Sequence, residues 1–463
     1  MGSTLDPNKE SEVRLMLYRK WGSKEDPVVY YTSSSLQDQK ILNEVKEVMK
    51  AHIIELFLSN YISKEDAKKL LQGVNSFSSI DPSYEDVHEA LEDHIIKVAG
   101  DAGGAIGMGR SRNDHVATAL RLKMRAELLN LLEDLLQFRE QLVKNAEVFS
   151  KIAFPAFTHF QPAQPTTFGH YLLYVEEEIS SRWEAIFKVL DLINKSPLGS
   201  GAIVGTSVNL NRRREATLLG FNGIVLNTIS ATSSRSDLIS ALMEVTNLGL
   251  AMSRVIEDMI LLSSKFVNVL ELPDTHVSTS SLMPQKRNAV TMEVSRARIS
   301  KVIGELMSII SSYKSLPSGY NLDLQEINPL MWDILEEIEG VVKVLQDLLS
   351  KVKFKAINLD KEMLATDEAE KLTEHGVRYR EAYFTVSKTV REGSFKPSIT
   401  IDESISRKAV EGSPSPSRIA EGISFAKERI NRDVHTLREY KNQILKGEGE
   451  LRLIENDILQ EGN

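Results

Sequence analysis

The 463-residue chain contains no cysteine. Disulfides, thiolate metal centres and cysteine nucleophiles are therefore excluded, and the composition fits a reducing compartment, with the cytoplasm the default expectation. The opening residues Met1-Gly2-Ser3-Thr4-Leu5-Asp6-Pro7 lack the apolar core of a secretory signal. Apolar runs are cut every few residues by charge or polarity, so no membrane-spanning helix is expected. No His-x-x-x-His pair, EF-hand loop or carboxylate cluster has metal-ligand spacing, so no metal is expected. Neither glycine-rich segment has the spacing of a phosphate loop or follows a strand. Low-complexity tracts and internal repeats are also missing. The net charge of −9 lacks the broad basic face that nucleic-acid binding requires.

What remains is an ordinary globular composition, 42% apolar and 26% charged, with length enough for two or three domains and a large core. Helical periodicity dominates. Leu238, Leu242, Val245, Gly249, Met252, Ile256 and Met259 alternate steps of four and three, the seam of a helix facing a neighbour. Met331, Ile334, Ile338, Val341, Leu345, Leu348 and Val352 repeat the pattern. Between Val116 and Phe149 two apolar columns run side by side: Leu122, Leu129, Leu136 and Val143, then Leu128, Leu135 and Leu142. Such a helix is buried on a wide face. These three helices would extend roughly 33 to 50 Å. Further helices are expected at Tyr171–Asn194 and Ala289–Tyr313. Helices of this length predict a bundle that packs against copies of itself, with a large monomeric helical domain as the alternative.

The flanks read differently. Ser63 with Asp66 caps one helix, and Pro82-Ser83 starts another that ends near Gly100. After Phe354 the segments shorten. Asp367 with Glu370 resembles a capping box, and Gly376 and Gly393 sit where glycines close helices. Asn75–Ile80 and Ser398–Ile401 are candidate extended pieces. The expected fold is all-α: a small helical domain (1–105), a central long-helix bundle (106–354) and a second small helical domain (355–463).

Four segments break the helical pattern with polar residues and glycine, and function is sought there. Gly107-Met108-Gly109-Arg110-Ser111-Arg112-Asn113-Asp114-His115 puts two arginines beside a helix start, a pattern suited to a carboxylate or phosphate or to a solvated cap. Phe157-Thr158-His159-Phe160-Gln161-Pro162-Ala163-Gln164-Pro165 cannot be regular helix. It fixes Thr, His and Gln in a loop. Ser196–Ala202 reads as a tight turn. Ser278–Asn288 is Ser/Thr-rich and carries Lys286 and Asn288, which suit an anionic oxygen or a plain linker. Glu293, one turn into the next helix, is placed to orient His159 or Lys286.

Together these segments resemble the fumarase/aspartase superfamily, whose Ser-Ser-x-Met-Pro-x-Lys-x-Asn loop is matched from Ser280 to Asn288. Gly109-Arg110-Ser111-Arg112-Asn113-Asp114 is similar to the argininosuccinate lyase branch in particular, as are Thr158–Pro165 and Tyr320–Glu326. The resemblance covers nearly the whole chain. It implies a three-domain helical fold, a homotetramer whose active sites draw on different subunits, no cofactor, and elimination of fumarate from argininosuccinate to leave arginine. It assigns the base to Ser280 and stabilisation of the carbanion to Lys286 and Asn288. Protonation of the leaving nitrogen falls to His159 with Thr158, oriented by Glu293. Ser111, Arg112 and Asn113 hold the fumarate-side carboxylates. Asp38, Asp86, Tyr320 and Gln325 read the arginine part, and Ser34, Gln164 and Arg235 join the substrate-binding set. The chain departs from the pattern at Asn328 and Leu322, where lysines are usual, and at Ser236, Leu91 and Thr279. The competing readings are a lyase acting on another N-substituted aspartate and a non-catalytic, crystallin-like structural protein.

Overall fold

The computed structural model describes residues 27–81, 84–355 and 359–460. Helices α1 (Leu42–Leu58), α2 (Lys64–Ser76) and α3 (Val87–Ala99) come first. Ser63 caps α2 by accepting from the Asp66 N–H, as expected. Asp86 caps α3 through the Glu89 N–H; Pro82 and Ser83, expected to start that helix, lie outside the described residues. Helix α4 (Arg112–Val148) opens on a capping box made by Ser111 and Asp114. Both of its predicted leucine columns are buried.

A hairpin follows, β1 (Ala153–Thr158) paired antiparallel with β2 (Gln161–Thr167). Its tip, His159 and Phe160, has positive φ at both residues. Helix α5 (Phe168–Ile193) then returns along α4, and α6 (Ser236–Ser263) packs on α5. Next come β3 (Leu270–Glu271), β4 (Ser278–Thr279), β5 (Arg287–Asn288), α7 (Val290–Tyr313), α8 (Asn328–Lys351) and β6 (Lys353–Phe354). β4 pairs with β5, and β3 with β6. The seams predicted for α6 and α8 are buried. They meet so closely that a Cβ on Gly249 would lie 2.7 Å from Ile338 Cδ1. A window of α6 has a mean hydropathy of 1.2, enough by length and composition alone to cross a membrane, but more than half of that window is buried inside the protein. Its apolar seam is instead occupied by α8 and α7.

The last helices are α9 (Ala365–Glu374), α10 (Tyr379–Arg391) and α11 (Pro416–Leu459). Short segments throughout this part were expected, yet α11 has 44 residues. Its buried positions keep the alternation of four and three but include Asp433, Gly447 and Glu455, so a count of apolar residues misses the stripe. Arg139 Nη1 donates to Asp433 at 2.8 Å, and Asn75 Nδ2 to Glu455 at 2.9 Å. Gly447 passes the Thr217 carbonyl so closely that a Cβ would stand 2.0 Å from the oxygen. One hydrophobic core therefore includes residues from Ile41 to Ile458, while α9 and α10 share a small separate core of Ala369, Ala382 and Val386.

Asp367 and Glu370 are not a capping box: both lie inside α9, and Asp367 accepts from Ser404 Oγ and Lys408 Nζ. Gly376 and Gly393 do close helices with positive φ. Residues 75–80 and 398–401 form no strand. The strands lie elsewhere, and Pro155, Pro162 and Pro165 hid the hairpin from a pattern search. In a two-stranded ribbon each strand has a free edge that tolerates proline.

Side-chain contacts fix the direction of each long helix. Arg121, near the start of α4, donates to the Ile193 carbonyl at the end of α5 and pairs with Asp237 at the start of α6. Tyr171, at the start of α5, donates to Asp258 near the end of α6. Tyr313, at the end of α7, meets Ser236. Asn145, at the end of α4, donates to the Leu349 carbonyl at the end of α8. The bundle thus has two poles. The first holds the starts of α4, α6 and α8, and the second holds their ends. Along the 37 residues of α4 the poles stand roughly 55 Å apart.

Candidate active site

At the first pole, the turn before α1, the start of α3 and the start of α4 bring carboxylates to one guanidinium. Arg112 Nη1 lies 2.8 Å from Asp86 Oδ2, and Nη2 lies 3.3 Å from Glu85 Oε1. Asp38, buried beside them, accepts from Ser34 Oγ at 2.8 Å and from the Val87 N–H at 3.2 Å. Burial, with Asp86 adding repulsion, raises Asp38 to about 7 against the opposing pull of Ser34, the Val87 N–H and Arg112. Burial also raises the Tyr320 phenol, opposed by Arg112 and Arg235. Ser34, Asp38, Asp86, Arg112, Tyr320 and Arg235 therefore gather in one neighbourhood, as the sequence proposed. Gln325 and Asn328 are buried at the same pole, the Nε2 of the first and the Oδ1 of the second unpartnered among the described residues.

The sequence did not separate the two arginines of the first motif. Arg110 is structural: its Nη2 lies 2.6 Å from Glu92 Oε2, its Nε donates to the Ile106 carbonyl and its Nη1 donates to His115 Nδ1. Of the pair, Arg112 is the one left partly exposed. Its neighbours are already committed within the chain. Ser111 Oγ accepts from the Asn113 N–H as a cap, and Asn113 Nδ2 donates to the Ala202 carbonyl at 3.0 Å. Asp114 Oδ2 accepts from the Gly201 N–H, so the tight turn after α5 is tied to the head of α4. Arg235 is buried, and its Nη1 donates to the carbonyls of Thr232 and Ser234; burial lowers it to about 10.

Glu85 and His88 were not singled out as site residues. Glu85 is signalled only by its place beside Asp86. His88 is buried against His115, with ring centroids 4.9 Å apart. Among the described residues its two nitrogens have no hydrogen-bond partner, and burial lowers it to about 4.

The second pole carries the other residues. Thr158 and His159 stand exposed at the hairpin tip, with Gln164 lower on β2. His159 and Gln164 border a cavity of about 1130 Å³ between the hairpin, the end of α6 and the segment after α10, with Phe154, Tyr171 and Phe266 among its walls. The serine loop is a short hairpin. β4 and β5 hold Thr279 against Arg287, and the Ser280 N–H donates to the Lys286 carbonyl at 3.3 Å. Ser280 Oγ accepts from the N–H groups of Leu282 (3.3 Å) and Met283 (3.1 Å). Hydrogen bonds donated to an oxygen favour its ionised form, which is what a serine acting as a base requires. Lys286 is exposed and Asn288 half-buried on this loop. Glu293 is exposed in the first turn of α7.

Among the described residues, no hydrogen bond or ion pair joins Ser280, His159 and Arg112, and Glu293 reaches neither His159 nor Lys286. Arg112 is at the opposite pole from the other two. Within one chain, the residues proposed to act together form three groups.

The lyase family matches residues 20–304. Argininosuccinate lyase of Sulfurisphaera tokodaii is 51% identical over 445 residues, covering 96% of this chain and 100% of that protein. The enzyme of the same name from Pyrococcus furiosus is 37% identical over 450 residues, covering 92% and 98%. Among solved structures, EDDS lyase in complex with formate superposes with a TM-score of 0.78 at 23% identity, covering 91% of this chain and 92% of that one. A fumarate lyase:delta crystallin from Brucella melitensis gives 0.66 at 16% identity, covering 85% and 91%. With relatives of this identity matched along nearly their whole length, the chain belongs to the argininosuccinate lyase family.

Proposed function

We propose that this protein cleaves argininosuccinate into arginine and fumarate, at sites completed between copies of the chain, and without a cofactor. The observation that carries the shared site is the separation of the poles. A pole rich in carboxylates and a pole with a serine base and a histidine are each half of a site, and roughly 55 Å of helix keeps them apart in one chain. Copies packed antiparallel bring unlike poles together. Helix α7 supports such packing. It buries a single stripe (Met292, Ser295, Ile299, Val302, Leu306, Ile309), and Val294, Ile303 and Met307 remain exposed on its other faces. An apolar helix face of this length calls for a cover, and we infer a homotetramer acting in the cytoplasm.

In this reading the Ser280 alkoxide, held by the two N–H groups on its oxygen, takes a proton from the substrate carbon next to a carboxylate. The electron pair moves into that carboxylate, which Lys286 and Asn288 stabilise. The pair returns to form the carbon–carbon double bond as the carbon–nitrogen bond breaks. His159, beside Thr158 and oriented by Glu293 from another copy, supplies a proton to the leaving guanidino nitrogen. Arg112, braced by Asp86 and Glu85, faces a fumarate-side carboxylate with Ser111 and Asn113. Asp38 and Asp86, with Ser34, Tyr320, Gln325 and Arg235, read the arginine part. Gln164 lines the approach on the hairpin.

The test is purified protein mixed with argininosuccinate and followed by fumarate absorbance. Fumarate should appear, and Ser280→Ala should cut its rate at least a hundredfold while leaving assembly and melting temperature near wild type. No fumarate from argininosuccinate, but fumarate from another succinylated amine, would overturn the substrate assignment. Undiminished turnover in the variant would overturn the base.

A further inference from the structure

The first pole gathers three carboxylates around one guanidinium. Asp38, Asp86 and Glu85 gather around Arg112, whose Nη1 and Nη2 go to Asp86 and Glu85. Asp38 forms no ion pair among the described residues; its Oδ2 is held by the Ser34 hydroxyl and the Val87 N–H. No other basic group pairs with Asp38 among the described residues. Lys40, on the same turn, points to Asp333 and Glu336 of α8. Arg235 remains a cation but donates through Nη1 to carbonyls of its own turn, and its Nε is buried without a partner among the described residues. His88 is buried, and with burial lowering it to about 4 it carries no charge near neutrality. Tyr320 is raised by burial and stays neutral, and Glu89, also raised by burial, accepts from the Glu85 N–H. At the same pole the Gln325 Nε2 and both His88 ring nitrogens are buried without a partner among the described residues. Such groups cost free energy until a polar ligand meets them.

We propose that Asp38 trades a proton for the cationic end of the ligand, so that binding of the arginine part expels a proton while binding of fumarate does not. This rests on the assignment of the first pole to the arginine part. In the single chain burial raises the Asp38 carboxyl to about 7, which leaves it about half protonated at neutral pH. A guanidinium or ammonium placed beside it favours the ionised form, and the proton leaves for solvent. Protonation must be reversed for binding, so affinity for the arginine end weakens as pH falls below 7. The fumarate end meets Arg112 and the second pole, and its negative charge near Asp38 favours the protonated carboxyl, so it expels no proton.

Calorimetry of L-arginine binding in two buffers of different ionisation heat measures the exchange. About three-quarters of a proton should leave at pH 6.5 and almost none at pH 8.5. Fumarate titrated in the same way should release none. The KM for argininosuccinate should climb toward about tenfold per pH unit below 7, and Asp38→Asn should abolish both the release and this slope. Ser280→Ala, unable to turn over, should still release the proton on binding arginine. Arginine binding without proton release at pH 6.5, failure of arginine to bind, or a flat KM between pH 6 and 8 overturns the proposal. Failure of argininosuccinate to yield fumarate at any pH would instead strike the functional assignment, and the arginine titration separates the two.

Discussion

Arg110 and Arg112 stand two residues apart in one motif and do different work. Arg110 is consumed by Glu92, the Ile106 carbonyl and His115. Arg112 sits at the first helical position of α4 with its guanidinium among Asp86 and Glu85. Arg110→Met should therefore cost about 2 kcal/mol of stability, since Glu92 and His115 lose a charge-assisted partner, and melting of the purified protein reads this. Arg112→Met should leave melting within a few degrees yet abolish most fumarate release. Equal effects of the two on stability would contradict the division. The residue types at the site were legible in the sequence, because a dense polar cluster stands out in a chain of helices. Their partners were not. In the single chain Ser111 caps α4 and Asn113 holds the turn at Ala202, whatever each also offers a ligand, and the Ala202 partner is not visible in the motif itself. Partners from distant positions decide such roles, and a single sequence does not display them.

At the scale of elements, legibility followed burial by apolar side chains. α4, α6 and α8 announced themselves because their seams are almost wholly aliphatic, each such residue contributing about 2 kcal/mol when fully buried. α11 did not, because three of its seam positions are Asp433, Gly447 and Glu455, each buried for a specific partner or a close approach. The hairpin of β1 and β2 was hidden by its prolines. Gly447 offers a sharp test. A methyl group there meets the Thr217 carbonyl at 2.0 Å, with Gly220 also close, so Gly447→Ala should destabilise by about 3 kcal/mol through overpacking. Gly449→Ala, where a Cβ would meet nothing within 4 Å, should be neutral or slightly stabilising. Thermal melts of the two variants side by side check this.

For the whole molecule, the helical bundle was legible in the sequence, but the sorting of functional groups to opposite poles was not. That sorting is a matter of chain direction: each helix carries its pole assignment in which end faces which neighbour, and residue spacing along one helix is silent about it. The sorting predicts the outcome of mixing. Ser280→Ala and Arg112→Met should each be nearly inactive alone. Dissociated and reassembled together, they should regain a measurable fraction of wild-type turnover, because some sites then pair an intact first pole with an intact second one. No recovery in verified mixed oligomers would argue that each chain builds its own site.

On the proposed shared site, with α4 keeping its two ends so far apart, a solitary chain would have nowhere to turn over substrate, however well folded it is. Catalytic output per molecule would then depend on protein concentration. It should fade on extreme dilution while the helical signal stays intact, and return when the solution is concentrated again.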